Sequence, residues 1–190
     1  MVALRSERLG FRQWRSQNRP LFADINAAPR VMESFSSILS TPQREASIGH
    51  SSDDINTFGW GFWAAESFDR PEFIGLVSIN DNQGSPPFAS CLDICWPLSN
   101  QHWRQGFATE TAAGALEFLL MPVDLDQVMS ITPVFNTASK GGIKNLRITK
   151  QMDDFVYPNV PLCDSLAEHI MYPLCRDQRL SHDFGKGQRQ

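Results

Sequence analysis

The chain is poor in the features that mark several protein classes. It has four cysteines and two tyrosines in 190 residues. Cys91, Cys95, Cys163 and Cys175 are too few and too scattered for a disulfide scaffold. Cys91 and Cys95 would share one strand face with Asp93 between them, but a zinc site needs more ligands than lie nearby. The expectation is reduced thiols in a cytoplasmic protein, and no metal. No apolar run reaches the roughly 18 residues of a membrane-spanning helix, and the first residues lack the charged-then-apolar plan of a signal peptide. No basic excess exists either. The net charge is −4, which argues against a nucleic-acid partner. No internal repeat is visible.

What remains is ordinary for a soluble domain, with 42% apolar and 20% charged residues. The length suits one domain with a real core, expected over residues 1–176, followed by a polar tail at 177–190. Residues 9–14 alternate as a first strand. Pro20 suits the first turn of a helix over residues 21–26, and Pro29 is expected to end it. A short turn follows at 31–35, and Thr41 is a plausible N-cap for a further, polar helix. Residues 60–66 and 73–79 read as a strand pair, 92–98 as a third strand, 108–120 as a long helix stopped by Met121-Pro122. A strand at 128–134, a short helix at 139–146, an extended loop at 155–161 and a last strand at 169–174 complete a mixed α/β order.

The most informative segment is Trp103-Arg104-Gln105-Gly106-Phe107-Ala108-Thr109-Glu110, which joins the 92–98 strand to the long helix. The first amides of a helix lack intrahelical partners, and the macrodipole adds partial positive charge there, so such a junction binds anions. Gly106 and Ala108 leave the backbone open to a phosphate, and Arg104 could reach a second one. The segment is not a Walker loop, because it lacks the Gly-Lys-Ser/Thr ending, and it is not a dinucleotide fingerprint, because one glycine stands where three are wanted. Glycine turns before helices also arise for purely steric reasons.

In context the segment resembles the pyrophosphate loop of the GNAT superfamily of N-acetyltransferases, Gln/Arg-x-x-Gly-x-Gly/Ala. The likeness is nearest to the RimJ/RimL-type branch, where Trp often fills the first position. It extends over about residues 5–176. Glu7-Arg8-Leu9 with Arg12 and Trp14 looks like that family's opening strand. Phe22, Asn26, Pro29, Val31, Met32 and Phe35 follow in its order. Gly61-Phe62-Trp63-Ala64 and Phe73-Ile74-Gly75 resemble its central hairpin, and Asp93-Ile94-Cys95-Trp96 its cofactor-side strand. Asn136 and Ser139 match its Asn-x-x-Ser. Asp154-Phe155-x-x-Pro158-x-x-Pro161 with Leu166, His169 and Tyr172 looks like a subgroup signature.

The resemblance implies a single-domain GNAT fold, a splayed, mostly antiparallel mixed sheet flanked by helices. It also implies an enzyme that passes acetyl from acetyl-CoA to a primary amine by direct attack in a ternary complex, as a monomer or homodimer. It assigns cofactor binding to Trp96, Leu98, Trp103, Arg104, Gln105, Gly106, Phe107, Ala108, Thr109, Asn136 and Ser139. Asp93 stands where the branch often carries Glu and is the candidate base, its bland role being a polar residue on an exposed strand face. Asn136 and Ser139 are the other catalytic candidates, with turn-closing and helix-capping as their bland roles. Glu110 suits a structural place at the helix start, where the dipole favours acids. Tyr157 could enter the acceptor cleft, Tyr172 reads as core, and His102 and His169 read as structural.

Three departures count against the pattern. Arg147 stands where the family's turn carries glycine, Gly141-Gly142 weakens the short helix by about 1 kcal/mol per glycine, and Pro97 removes a backbone donor near the cofactor strand. A frayed second helix would favour a different reading, a non-catalytic acyl-CoA-binding or protein-interaction module on the same fold.

Overall fold

The computed structural model describes residues 2–82, 91–120, 127–146, 148, 153–158 and 160–175. Its frame is one sheet of eight strands in the order β1-β2-β3-β4-β5-β6-β8-β7. The strands are β1 Val2–Arg5, β2 Leu9–Arg12, β3 Phe62–Ser67, β4 Glu72–Asn82, β5 Cys91–Cys95, β6 Gln127–Pro133, β7 Phe155–Val156 and β8 Glu168–Cys175. The helices are α1 Asn18–Ala27, α2 Pro29–Met32, α3 Thr41–Phe58, α4 Phe107–Leu120 and α5 Thr137–Asn145. Every neighbouring pair is antiparallel except β5 and β6. Parallel neighbours need a crossover, and α4 lies in the connection between these two.

Strand alternation explains the two cores. Leu9, Phe11, Trp63, Ala65, Ile74 and Val77 are completely buried against the apolar side of α4, where Ala112, Ala115 and Leu119 are also fully covered. Leu76, Phe73 and Ala64 point the other way and pack with Phe22, Ile25, Val31 and Ile48 from the first three helices. Each of the Leu, Ile, Val and Phe side chains among them contributes about 1.5–3 kcal/mol when fully buried. The polar helix α3 docks through Ser51, whose hydroxyl donates to the Phe62 carbonyl and accepts from the Phe62 N–H, both at 2.8 Å. Buried Arg12 pairs with Glu66 and donates to Asn18 Oδ1 at 2.8 Å, which joins β2, β3 and the start of α1.

Several sequence expectations shift. A strand precedes the expected first one, so the chain opens with a β1–β2 hairpin. Pro29 does not merely end α1; after a break at Ala28 it opens α2, where its missing N–H costs nothing. The cap of α3 is Ser40 rather than Thr41, because the Gln43 side chain reaches back to accept from the Ser40 N–H at 2.8 Å. β5 stops at Cys95, three residues short of the expected strand. The helix expected to fray, α5, is a regular nine-residue helix with Ile143 completely buried. The expected stop at Met121-Pro122, the turn at Arg147 and the tail at 177–190 lie outside the described residues.

Beyond Cys95 the chain stays against β4. The Leu76 N–H donates to the Pro97 carbonyl at 3.1 Å, and the Ser99 N–H to the Ile74 carbonyl at 2.9 Å. Gly75 makes this approach possible. Its φ is 153°, and a Cβ there would stand 2.5 Å from the Pro97 carbonyl oxygen and 2.8 Å from the Leu98 Cα. Backbone atoms cannot yield as a flexible side chain does. Gly75→Ala is therefore expected to lower stability by about 2–4 kcal/mol. Urea unfolding measures it, and an unchanged midpoint would contradict this account of the 96–99 segment.

Candidate active site

The site begins where β5 and β6 part. Their parallel ladder has one registered pair, Asp93 with Met129. Two residues farther along β6, the Ile131 N–H donates to the Asp93 side chain, Oδ1 at 3.2 Å, rather than to β5 backbone. The carboxylate thus replaces the strand carbonyl that has moved out of reach. Asp93 sits at the vertex of a V-shaped opening.

The register of β5 decides which groups face that opening. In an antiparallel pair, alternate residues turn both backbone groups to the same neighbour. The bond between Leu76 and Pro97 sets the odd positions of this segment toward β4, which leaves Trp96 and Leu98 facing the split. Among the described residues, neither of their N–H groups has a backbone partner. The donor that Pro97 lacks would have pointed at β4, so the proline removes nothing from the split. Trp103 closes this edge by donating from its indole Nε1 to the Leu98 carbonyl at 2.9 Å.

The second part is the turn into α4. Arg104 has φ 61° and Gly106 φ 82°, both left-handed. The first intrahelical bond runs from the Glu110 N–H to the Gly106 carbonyl at 3.1 Å. The amides of Phe107, Ala108 and Thr109 therefore have no partner within the helix, as the first turn of an α-helix requires. These donors, the helix dipole and Arg104 beside them suit a diphosphate.

The third part is α5. Asn136 caps it, its Oδ1 accepting from the Ser139 N–H at 3.0 Å. Among the described residues, its Nδ2 has no hydrogen-bond partner, so two donor hydrogens remain. The cap and the buried Ile143 offset the cost of Gly141-Gly142. Asn145 Nδ2 also approaches Thr109 Oγ1 at 3.4 Å, which links α5 to the first turn of α4.

These parts line one cleft of about 1110 Å³, with Asp93, Trp96, Leu98, Trp103, Arg104, Gly106, Ala108, Thr109, Asn136 and Ser139 on its walls. Two expected cofactor residues turn their side chains elsewhere. Gln105 folds back to donate to the Gln101 carbonyl at 3.1 Å, and Phe107 is buried in the core. Other wall residues, among them Cys95, Ser78 and Asn80, were not singled out from sequence as cofactor or catalytic candidates. The odd–even alternation of β5 that exposes Asp93 is the signal that also exposes Cys95.

Electrostatics separate the two ends of the cleft. Loss of hydration raises the Asp93 pKa from 3.8 to about 7, partly offset by the bond from Ile131. Burial, reinforced by the Asp93 carboxylate, pushes the Cys95 thiol up to about 12. That thiol is not a nucleophile at neutral pH. The Tyr157 hydroxyl is raised by desolvation and by Asp93. Its ring packs against His169 with centroids 4.5 Å apart and the planes tilted by 39°, and burial lowers the pKa of His169. Tyr157 and His169 both reach the cleft wall, whereas Tyr172 lies in a separate buried cluster. His102 is buried, with Nδ1 4.0 Å from Glu72.

Residues 8–148 match the family model for the acetyltransferase (GNAT) domain. The chain belongs to the GNAT acetyltransferase family. Many solved structures share its fold, three of them as follows. A GNAT-family acetyltransferase from Bacillus anthracis is 13% identical with a TM-score of 0.75, covering 93% of this chain and 99% of that one. The acetyltransferase from Salmonella typhimurium that modifies the N-terminal serine of a 50S ribosomal subunit protein is 14% identical with a TM-score of 0.71, covering 90% and 96%. Mycobacterium smegmatis RimJ, solved with CoA-disulfide, is 14% identical with a TM-score of 0.69, covering 90% and 83%.

In this acetyltransferase the vertex carboxylate has a consequence for stability. Unfolded, Asp93 ionises near 3.8; folded, it holds its proton to about 7. Between those values the folded state binds more protons, so the Asp93 contribution to stability falls as pH rises. The stability of the wild type relative to Asp93→Asn is expected to decline from pH 5 to pH 8. Urea unfolding of both proteins at the two pH values measures it, and a pH-independent difference would contradict the raised pKa.

Proposed function

We propose that the protein transfers acetyl from acetyl-CoA to a primary amine, by direct attack within a ternary complex. The observation that carries this reading is the placement of a carboxylate with a pKa near 7 at the vertex of a split sheet, in one cleft with a helix N-terminus that has three orphan amides. In this reading the amides of Phe107, Ala108 and Thr109, with Arg104, hold the diphosphate of CoA. The backbone edge at Trp96 and Leu98 and the Asn136 amide hold the pantetheine arm.

An alkyl ammonium near a Lys-like pKa of about 10.4 does not attack. Asp93, titrating near neutrality, accepts its proton directly or through water. The amine nitrogen then bonds to the thioester carbon, and the N–H groups facing the split stabilise the oxyanion. The C–S bond breaks, the proton still carried by the attached nitrogen passes to the departing thiolate, and the Ser139 or Tyr157 hydroxyl hydrogen-bonds that sulfur. The un-ionised Cys95 thiol and the absence of a hydroxyl nucleophile paired with a histidine base among the described residues argue against an acyl-enzyme.

The likeness of the phosphate loop and the late aromatic segment to the RimJ/RimL branch supports a protein N-terminus or a small-molecule amine as acceptor, met in the cytoplasm by a monomer or homodimer. The feature that favoured a non-catalytic module, a broken second helix, is not found over Thr137–Asn145.

The test is an acetyl-CoA-dependent thiol-release assay against a panel of amines, with calorimetric titration of CoA in parallel. Asp93→Asn is expected to lower kcat by about 100-fold or more and to leave CoA affinity within twofold. In the wild type, kcat should rise with pH as Asp93 loses its proton near pH 7. Folded protein that binds no acetyl-CoA would refute the reading. Full activity in Asp93→Asn would refute the assignment of the base.

A further inference from the structure

Behind the anion-binding turn, on the side away from the cleft, lies Arg8 in the turn between β1 and β2. Its Nε donates to Glu110 Oε2 at 2.7 Å, and its backbone N–H donates to Glu110 Oε1 at 2.6 Å. The Ser6 hydroxyl donates to the same oxygen at 2.7 Å. Arg8 Nη1 donates to the Gln105 carbonyl at 3.1 Å, and the guanidinium carbon stands 4.5 Å from the centre of the Phe107 ring. A Cβ on Gly106 would lie 3.2 Å from Arg8 Nη2. Arg8 does not line the cleft.

Two physical problems meet here. Glu110, in the first turn of α4, complements the helix dipole, but it also places a negative charge one turn from the amides that must receive an anion. The carbonyl of Gln105 lies one peptide unit before those amides, and turned toward them its oxygen would repel a phosphate. Arg8 answers both at once. Its charge neutralises Glu110 through a charge-assisted bond, and its second donor holds the Gln105 carbonyl back toward the β1–β2 turn.

We propose that Arg8 is a positioning residue for the CoA diphosphate, holding the turn at residues 103–106 in its anion-receptive form through joint contacts with Glu110 and the Gln105 carbonyl. This rests on the acetyl-CoA reading above. Arg8 lies outside the cleft lining, so it acts on affinity through the diphosphate and not on the chemical step. The same guanidinium lies against Gly106: a Cβ there would press on Arg8 Nη2 and require it to shift by a few tenths of an ångström, in addition to the strain of the left-handed φ of 82°.

A merely structural role would weaken every ligand of the cleft alike, which defines the test. Full-length wild type, Arg8→Gln and Arg8→Lys are titrated with CoA and with S-acetylpantetheine, which has the pantetheine arm but no diphosphate. Arg8→Gln is expected to weaken CoA by about tenfold and S-acetylpantetheine by less than twofold. Arg8→Lys keeps the charge without the planar fork and should recover part of the CoA affinity; if Arg8→Gln does not fold, Arg8→Lys against wild type carries the comparison, with a several-fold loss specific to CoA. Equal CoA affinity in the variants, or equal weakening of both ligands, would overturn the inference. Folded wild type that binds no CoA would instead refute the acetyl-CoA reading itself.

Discussion

The hydrogen bond from the Ile131 amide to the Asp93 carboxylate sits where the sheet stops being a sheet. On the vertex side, β5 and β6 share a ladder; on the other, each strand keeps an edge that its partner has left. A buried strand edge is costly unless its amides and carbonyls find partners. At the vertex a side chain supplies that partner, and farther along, Trp103 takes the Leu98 carbonyl. The N–H groups of Trp96 and Leu98, which have no backbone partner among the described residues, are the ones a ligand arm can use. One interaction therefore closes the intact half of the sheet, opens the cleft and places an ionisable group at its floor.

The rest of the site follows from that opening. α4 must cross from β5 to β6 because the two strands are parallel, so its N-terminus falls at the mouth of the split. α5, entered directly from β6, brings the capping residue Asn136 to the opposite wall. The burial that raises the Asp93 pKa also works against stability near neutral pH, since the folded protein must either keep its proton or ionise in a poorly hydrated place. Arg8 and Glu110 belong to the same logic, as a charge pair that makes the helix start receptive without itself entering the cleft.

Much of this was legible in the sequence. The alternation at Leu9 and Phe11, the apolar strand at 73–79 and the helix beginning at Phe107 all carry strong periodicity, and Gly106 marks the anion-binding turn. Other features were not, for identifiable reasons. Ser40 outcompetes Thr41 as a cap only because Gln43 reaches back to it. α5 survives its two glycines because Asn136 caps it and Ile143 is buried, and propensity sees neither. Residues 96–98 look like strand because they stay paired with β4, yet they have already parted from β6. The pairing of Arg8 with Glu110 joins residues 102 positions apart, and no local pattern reports it. Asp93 reads as a polar residue on a strand face; its place at the vertex comes from the divergence of two strands, which is a tertiary property.

The account stands on the claim that the split between β5 and β6 receives the arm of CoA while the start of α4 receives its phosphates. Backbone amide resonances followed during a titration with CoA test it most directly. The account predicts that the largest changes fall on the amides of Trp96, Leu98, Phe107, Ala108 and Thr109, while those of Leu76 and Ser99, already bonded within the sheet, change little. Saturable binding whose changes map to other surfaces, with Trp96, Leu98 and the first turn of α4 unmoved, would contradict it.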